Sequence, residues 1–540
     1  MTVGASRSRV EDGSRYGLRD LFTPLQTLLV SGGDSRLAID PSTRPSDYGC
    51  APEPTPEIWN FASSTASSIS ERAYQRAALA REELVHKSLF DEVEVAFDAR
   101  NEDMRAELRA NLQLAPRVDI VFSPSGTDSQ LHALFVAGAV LGAPPVTIVV
   151  GADQTGSGTV HTARGRHFST MTASGYAVRK DDAIAGLGSD SIALPLLDAS
   201  VGIGPRADGE TAVLRAIETS LAQGRRVLLQ IMDSSKLGWR APSEACLDEI
   251  ARRWPGKVQV VVDACQMRLG RRRLHAYLDR GYMVQITGSK FFGGPAFSGA
   301  LLVPKGLSRA LDRGIAPAPG FFDYASRSDW PKGWVALRSR FESRPNFGQW
   351  LRWEAALEEI AGYYAVPAEF RAKALGELKA GIESIIALTP SLGAIRFEAG
   401  DVGTDDEEFA HATIFPFTLN RNGKAASIAG YSALSRPRAR HERRDRRQCD
   451  GPAGSRATLP HRSAGSAGAA GRPTVLCAAP VRRCATGDGV LVGGCGRGAA
   501  EPAAGSRPHR SCPGQDRAPA QSGRRHGATS IRVRRLTCRT

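Results

Sequence analysis

The chain has 540 residues, enough for more than one domain, with 42% hydrophobic and 23% charged side chains, the ordinary globular range. Its formal charge of +14 does not call for nucleic acid, because the excess is local. Residues 431–540 hold 22 Arg, no Lys and six acids, leaving the first 430 residues with 48 basic against 50 acidic side chains. Cys50, Cys246 and Cys265 are too few and scattered for a disulfide framework, and the other six cysteines lie beyond residue 448. No apolar run follows a basic start as in a signal peptide. The most apolar stretch, Leu131 to Val150, is interrupted by Pro144 and Pro145 and is too short to span a bilayer. A cytoplasmic protein without a membrane segment is expected.

Residues 1–70 read as irregular, rich in Ser, Pro and Gly, and residues 71–113 carry helical spacing, as at Ala78, Leu79, Leu84 and Val85. A rhythm then begins. Val118–Phe122 predicts a strand, followed by a Ser/Gly turn and an apolar helix to about Leu141. Val146–Val150, Val227–Met232, Val258–Val262, Met283–Ile286 and Ala300–Val303 predict further strands, with helices at Glu210–Leu221 and Glu244–Trp254. Continuous apolar strands alternating with amphipathic helices indicate an α/β domain whose sheet is covered on both faces. Ligands then bind beyond the carboxyl ends of the strands. Residues 349–388 read as helical, a link to a second domain, and Ala412–Leu419 as a strand entering a hairpin at Asn422-Gly423.

Beyond about residue 435 this organisation stops. After Tyr431 there is no Phe, Trp, Tyr, Lys, Met or Asn, and Ile531 is the only Ile. Such a composition buries too little apolar surface to order itself, so a disordered tail is expected. It fits a natural basic extension, which would bind nucleic acid, or translation out of frame from a GC-rich gene. The abrupt change inside an apparent domain favours the second. Gly493-Gly494-Cys495-Gly496-Arg497-Gly498 imitates a dinucleotide loop but has no helix pattern behind it.

Three clusters follow predicted strands. Ser125-Gly126-Thr127 opens a helix, where amides and the Thr127 hydroxyl suit a phosphate; taken alone, it reads better as a stabilising N-cap. Asp263-Ala264-Cys265-Gln266 closes an apolar strand with a carboxylate, which needs a cationic partner or serves to cap the next helix. Thr287-Gly288-Ser289-Lys290-Phe291-Phe292-Gly293-Gly294 places a lysine beside two Phe between apolar strands, a setting that favours a nucleophilic amine. No metal is called for.

Together these resemble the class V aminotransferase and cysteine desulfurase group of fold-type I pyridoxal-phosphate (PLP) enzymes. Asp263-x-x-Gln266 followed by Thr287-x-Ser289-Lys290 is similar to that group's Asp-x-x-Gln and Ser-x-His-Lys, with Ser289 replacing the His. The resemblance implies pyridoxal 5'-phosphate held as an imine on Lys290, with Asp263 under the pyridine nitrogen. Gln266 would orient the ring, and Gly126, Thr127, Thr287 and Ser289 would meet the phosphate. Lys290 and Asp263 are the candidate catalytic residues. The resemblance also implies a homodimer acting on an amino acid or small amine, by steps common to transamination, elimination and desulfuration.

The implied domains are an N-terminal segment (1–70) contributing to the small domain and to the site, a PLP-binding large domain (71–345), an incomplete small α+β C-terminal domain (346–430), and the tail (431–540). Ser235-Lys236-Leu237-Gly238 is similar to the group's Asn-Glu-x-Gly turn, departing at Ser235 and Lys236. His161 and Gln154 compete for the ring-stacking place, and Arg352 reads as a helix-face charge. The departures keep an alternative open, a catalytically inactive regulator or scaffold of the same fold.

Overall fold

The computed structural model describes residues 17–425 apart from 40–44, 47, 60–65, 199–205, 312–314, 396–408, 410 and 422–423, together with the pair 481–482. A short helix α1 (Leu25–Leu29) precedes the long α2 (Glu71–Lys87) and α3 (Val93–Asn111). Then come β1 (Val118–Ser123), α4 (Gly126–Leu141), β2 (Val146–Val150), β3 (Asp190–Leu194) and α5 (Gly209–Ala222). They are followed by β4 (Val227–Met232), α6 (Glu244–Arg253), β5 (Val258–Asp263), α7 (Arg271–Asp279), β6 (Met283–Thr287) and β7 (Gly299–Pro304). Beyond these lie α8 (Phe347–Ala365), α9 (Ala368–Leu388), β8 (Leu392–Ala394), β9 (Phe417–Arg421) and β10 (Lys424–Ala425).

Seven strands form one sheet in the order β1-β7-β6-β5-β4-β2-β3. All run parallel except β7, which is antiparallel to both neighbours. The inner strands are mainly apolar because both faces are covered, and the period-2 alternation divides their side chains between two cores. Ile120, Phe122, Val260, Val262, Val284 and Ile286 join the larger core, with α2, α3, α5, α6, α7 and α8. Val121, Val261, Met283, Leu301 and Val303 join the other, with α4 and the aromatic cluster Phe321, Trp330 and Phe341. This is the expected three-layer α/β/α architecture. A smaller α+β part follows, in which α9 packs on β8 of a three-stranded sheet, β10-β9-β8.

Besides the short α1 and β8, two further elements were not anticipated. The edge strand β3 is Asp-Ser-Ile-Ala-Leu, partly exposed and therefore without a continuous apolar run. Helix α7 opens on three arginines that hide its apolar side, Leu274, Tyr277 and Leu278. The strand expected over Ala412–Leu419 begins only at Phe417. Its hairpin pairs Arg421 with Lys424, a two-residue connection. The helix expected to lead to a second domain, α8, is itself buried in the larger core through Phe347, Trp350, Leu351 and Trp353. No described helix is long and apolar enough to cross a membrane. Of the tail, only Val481–Arg482 is described, paired antiparallel with Ile58–Trp59. The expectations for the rest of it lie outside the described residues.

Candidate active site

Parallel order sends the carboxyl ends of β1, β2, β4, β5 and β6 to one side of the sheet, where their following loops enclose a cavity of about 170 Å³. Gly126, Thr127, Asp263, Gln266, Thr287, Ser289 and Lys290 all line it. The three clusters singled out in the sequence therefore meet in one place.

The β1–α4 turn forms the first wall. Ser125 is the N-cap of α4, its Oγ accepting from the amides of Thr127 and Asp128 at 3.2 Å each. It donates its own proton to Asp128 Oδ2 at 2.5 Å. The capping reading thus holds for Ser125, while Gly126 and Thr127 face the cavity. Gly126 is a glycine because a Cβ there would lie 2.7 Å from Cys265 Sγ and 3.1 Å from Thr287 Cγ2. Close approach of three loops, rather than an unusual φ, excludes a side chain. Asp128 is fully buried; burial and then Asp34 push its carboxyl up to about 7, against the Ser125 hydrogen bond, Arg36 and Arg352.

The floor comes from β5 and β6. Asp263 ends β5 half-buried, one oxygen accepting from the Cys265 amide at 3.1 Å. It does not cap the next helix, because α7 starts only at Arg271 and has Gly270 as its N-cap. Lys290 lies on the loop after β6, and this loop closes on itself through Gly294 N–H to Gly288 O at 3.0 Å. A Cβ on Gly288 would lie 2.5 Å from Ala356 Cβ, so the loop is pressed against α8 and holds Lys290 in a fixed place. Thr287 donates its hydroxyl proton to Cys265 O at 2.7 Å. Gln266 Oε1 accepts from Arg268 Nη1 at 2.8 Å. Burial and then Asp263 raise the Cys265 thiol well above its usual range, against the pull of Lys290, and the sulfur is no thiolate nucleophile.

The remaining expectations divide. Gln154 lines the cavity; His161 does not appear in its wall and pairs with Asp181 at 2.8 Å instead. Ser235 is buried and secures its own turn, accepting from the Leu237 and Trp239 amides at 3.0 Å each, while Lys236 lies exposed at the cavity mouth. Arg352 is not a helix-face charge. It is completely buried, and it donates to the carbonyls of Phe297, Leu29, Ser31 and Gly32. Burial lowers its guanidinium to about 9, against Asp128 and Asp34, which still leaves it charged at neutral pH.

The N-terminal segment, expected to contribute to the site, supplies one wall of it, but sequence reasoning named none of the residues that do so. Arg36 and Tyr48 reach the cavity from it, and Phe297 from the loop before β7. One signal was available: Asp34-Ser35-Arg36 sits between Leu28-Leu29-Val30 and Leu37, charges inside an apolar stretch.

No family model and no curated protein sequence matches the chain. Among solved structures it is similar to a NifS-like protein, at 14% identity and a TM-score of 0.41, covering 66% of this chain and 81% of that one. It is similar to the Escherichia coli cysteine desulfurase CsdA at 18% and 0.38, covering 66% and 77%. A C-DES mutant with glycine covalently linked to its PLP cofactor is a third, at 16% and 0.41, covering 70% and 85%. Identities and scores this low leave the reaction to be argued from the chain's own residues.

Proposed function

We propose that this protein is a PLP-dependent enzyme of the class V aminotransferase and cysteine desulfurase kind, acting on an amino acid or small amine through Lys290. One observation carries the reading: an amine, a strand-end carboxylate and the opening of α4, from positions 290, 263 and 126–127, share one cavity. The polar atoms suit such a guest. Gln154 Oε1 is buried in the cavity wall without a partner, and a bound ligand would satisfy it. The charged side chains in the wall are Arg36, Lys236 and Lys290 against Asp263, a balance that favours an anion.

Bound there, pyridoxal phosphate supplies an aldehyde for covalent attachment and a ring that withdraws electrons. Asp263 keeps a proton on the ring nitrogen, a charge pair that also offsets the cost of its half-buried carboxylate. Lys290 would hold the cofactor and would move the proton at the substrate α-carbon. Gln266 and Gln154 orient what is bound. These roles serve transamination, elimination and desulfuration alike. The reading also implies a homodimer, which light scattering would check.

Reduction with borohydride tests it. The label should be recovered on the peptide containing Lys290, with loss of a visible absorbance band. Label on another lysine, or no band after adding the cofactor, overturns the reading.

A further inference from the structure

The opening of α4 has spent its first donors. The Thr127 and Asp128 amides both point to Ser125 Oγ, and Ser125 gives its proton to Asp128. An anion entering the cavity therefore needs a cation beside this turn. Arg36 supplies one from outside the sheet. Its Nε and Nη2 fork onto Asp34 at 2.8 and 2.7 Å, while Nη2 and Nη1 reach Ser125 Oγ and Thr127 Oγ1 at 3.2 Å each. Among the described contacts this engages four of its five N–H groups, and the fifth, on Nη1, is left at the edge of the cavity. The guanidinium lies 4.6 Å from the Phe297 ring centroid, so its plane is held from the side as well.

Asp34 is 2% exposed and also accepts from the Arg36 amide at 2.9 Å, fixing the turn that presents the side chain. Behind it, Arg352 ties the carbonyls of Leu29, Ser31 and Gly32 to α8. Residues 29–37 are thus stapled to the core, and a long flexible side chain has been given one orientation.

We infer that Arg36 anchors the phosphate of the bound ligand against the α4 opening, with Asp34 as its positioning residue, so that the N-terminal segment forms part of the cofactor site. This rests on the PLP reading above and adds to it the residue that discriminates a phosphorylated aldehyde from a plain one. The remaining Nη1 N–H and the charge behind it offer a phosphoryl group a charge-assisted donor, which the hydroxyls of Ser125 and Thr287, donating to Asp128 and Cys265, do not.

The test compares pyridoxal phosphate with pyridoxal, which lacks the phosphate, by titrating the visible band of the full chain. R36A should weaken pyridoxal phosphate by roughly tenfold to a hundredfold, the range of a charge-assisted hydrogen bond, and pyridoxal by less than about twofold. R36K should fall between, and D34N should shift the same ratio less. Equal weakening of both aldehydes by R36A, or no weakening of either, overturns the inference and leaves Arg36 a structural residue. A wild-type chain forming no band with either aldehyde overturns the PLP reading instead. Inorganic phosphate then still judges Arg36: it should raise the melting temperature of wild type but not of R36A, and an equal response of the two overturns the inference.

Discussion

The sheet and α9 were built to different standards of burial. In β1, β2, β4 and β7 nearly every side chain is covered, and α4 is buried from Thr127 to Ala137. Helix α9 is longer, at 21 residues, yet buries only Arg371 and Ile386, and leaves Phe370, Leu378, Ile385 and Leu388 46–80% exposed. Every cavity-lining residue comes from the sheet loops or the N-terminal segment packed on them, and none from α9 or β8–β10. Rigidity and chemistry coincide because a site needs its groups held by packing, and only the sheet region supplies that.

The largest effects are therefore expected in the sheet region. Lys290→Ala should abolish both the borohydride label and measurable turnover, since no other amine in the cavity is held on a closed loop against α8. Peptide mapping checks the first and a substrate screen the second. Trp353 of α8 is fully buried on Phe122 and donates Nε1 to Gly299 O at 3.0 Å. Trp353→Ala should cost about 3–5 kcal/mol in denaturant unfolding, the usual range for emptying such a site. A loss below about 1 kcal/mol would mean the two regions are not so different.

Asp263→Asn comes next. Cofactor binding should survive while turnover falls by about 3–4 kcal/mol of transition-state stabilisation, because an amide cannot keep the ring nitrogen protonated. Near-normal activity would make Asp263 a structural group serving the Cys265 amide.

How much of this was legible follows from the same contrast. Val118–Phe122 and Val258–Val262 could be read because doubly covered strands are apolar at most positions, Asp119 and Gln259 being the exceptions, and Asp263 and Lys290 stood out as charges following such runs. Arg36 could not be read in the same way. Its role depends on contacts with Ser125 and Thr127, about 90 residues away, and no local period encodes that. Arg352 was misread for a related reason. Helical spacing gives the face of a charge but not whether that face meets water or four carbonyl groups.

Asp128 allows a smaller, pH-dependent test within the site. Burial and then Asp34 raise its folded-state carboxyl to about 7. A raised acid stabilises the fold below its unfolded value, near 4, and that stability is lost as pH rises through about 7. Asp128→Asn should melt like wild type near pH 4 and above it at pH 8, by on the order of 2 kcal/mol or more. Parallel melting curves at both pH values would show that Arg36 and Arg352 already neutralise the carboxylate.

The smallest effect is expected on α9, and it bears on the rest of the chain. Phe370→Ser and Leu388→Ser should each change stability by no more than about 0.5 kcal/mol, because neither side chain leaves water on folding. Yet Phe370, Leu378, Ile385 and Leu388 fall along one side of the helix at 100° per residue, a stripe of the kind that normally meets a partner. The β9–β10 hairpin ends at Ala425, and from residue 431 the sequence turns to Arg, Ala, Gly, Pro and Ser. Out-of-frame translation, the reading proposed for the tail, would account for both facts: a one-base shift near codon 430 should then encode alternating apolar positions with Phe, Ile and Lys. A chain carrying that sequence should cover the stripe, and the same two substitutions should then cost about 1.5–3 kcal/mol each. Reading the gene in three frames and unfolding both chains checks this. If no frame restores such a pattern, or if the substitutions stay silent in the restored chain, the stripe owes nothing to a lost segment.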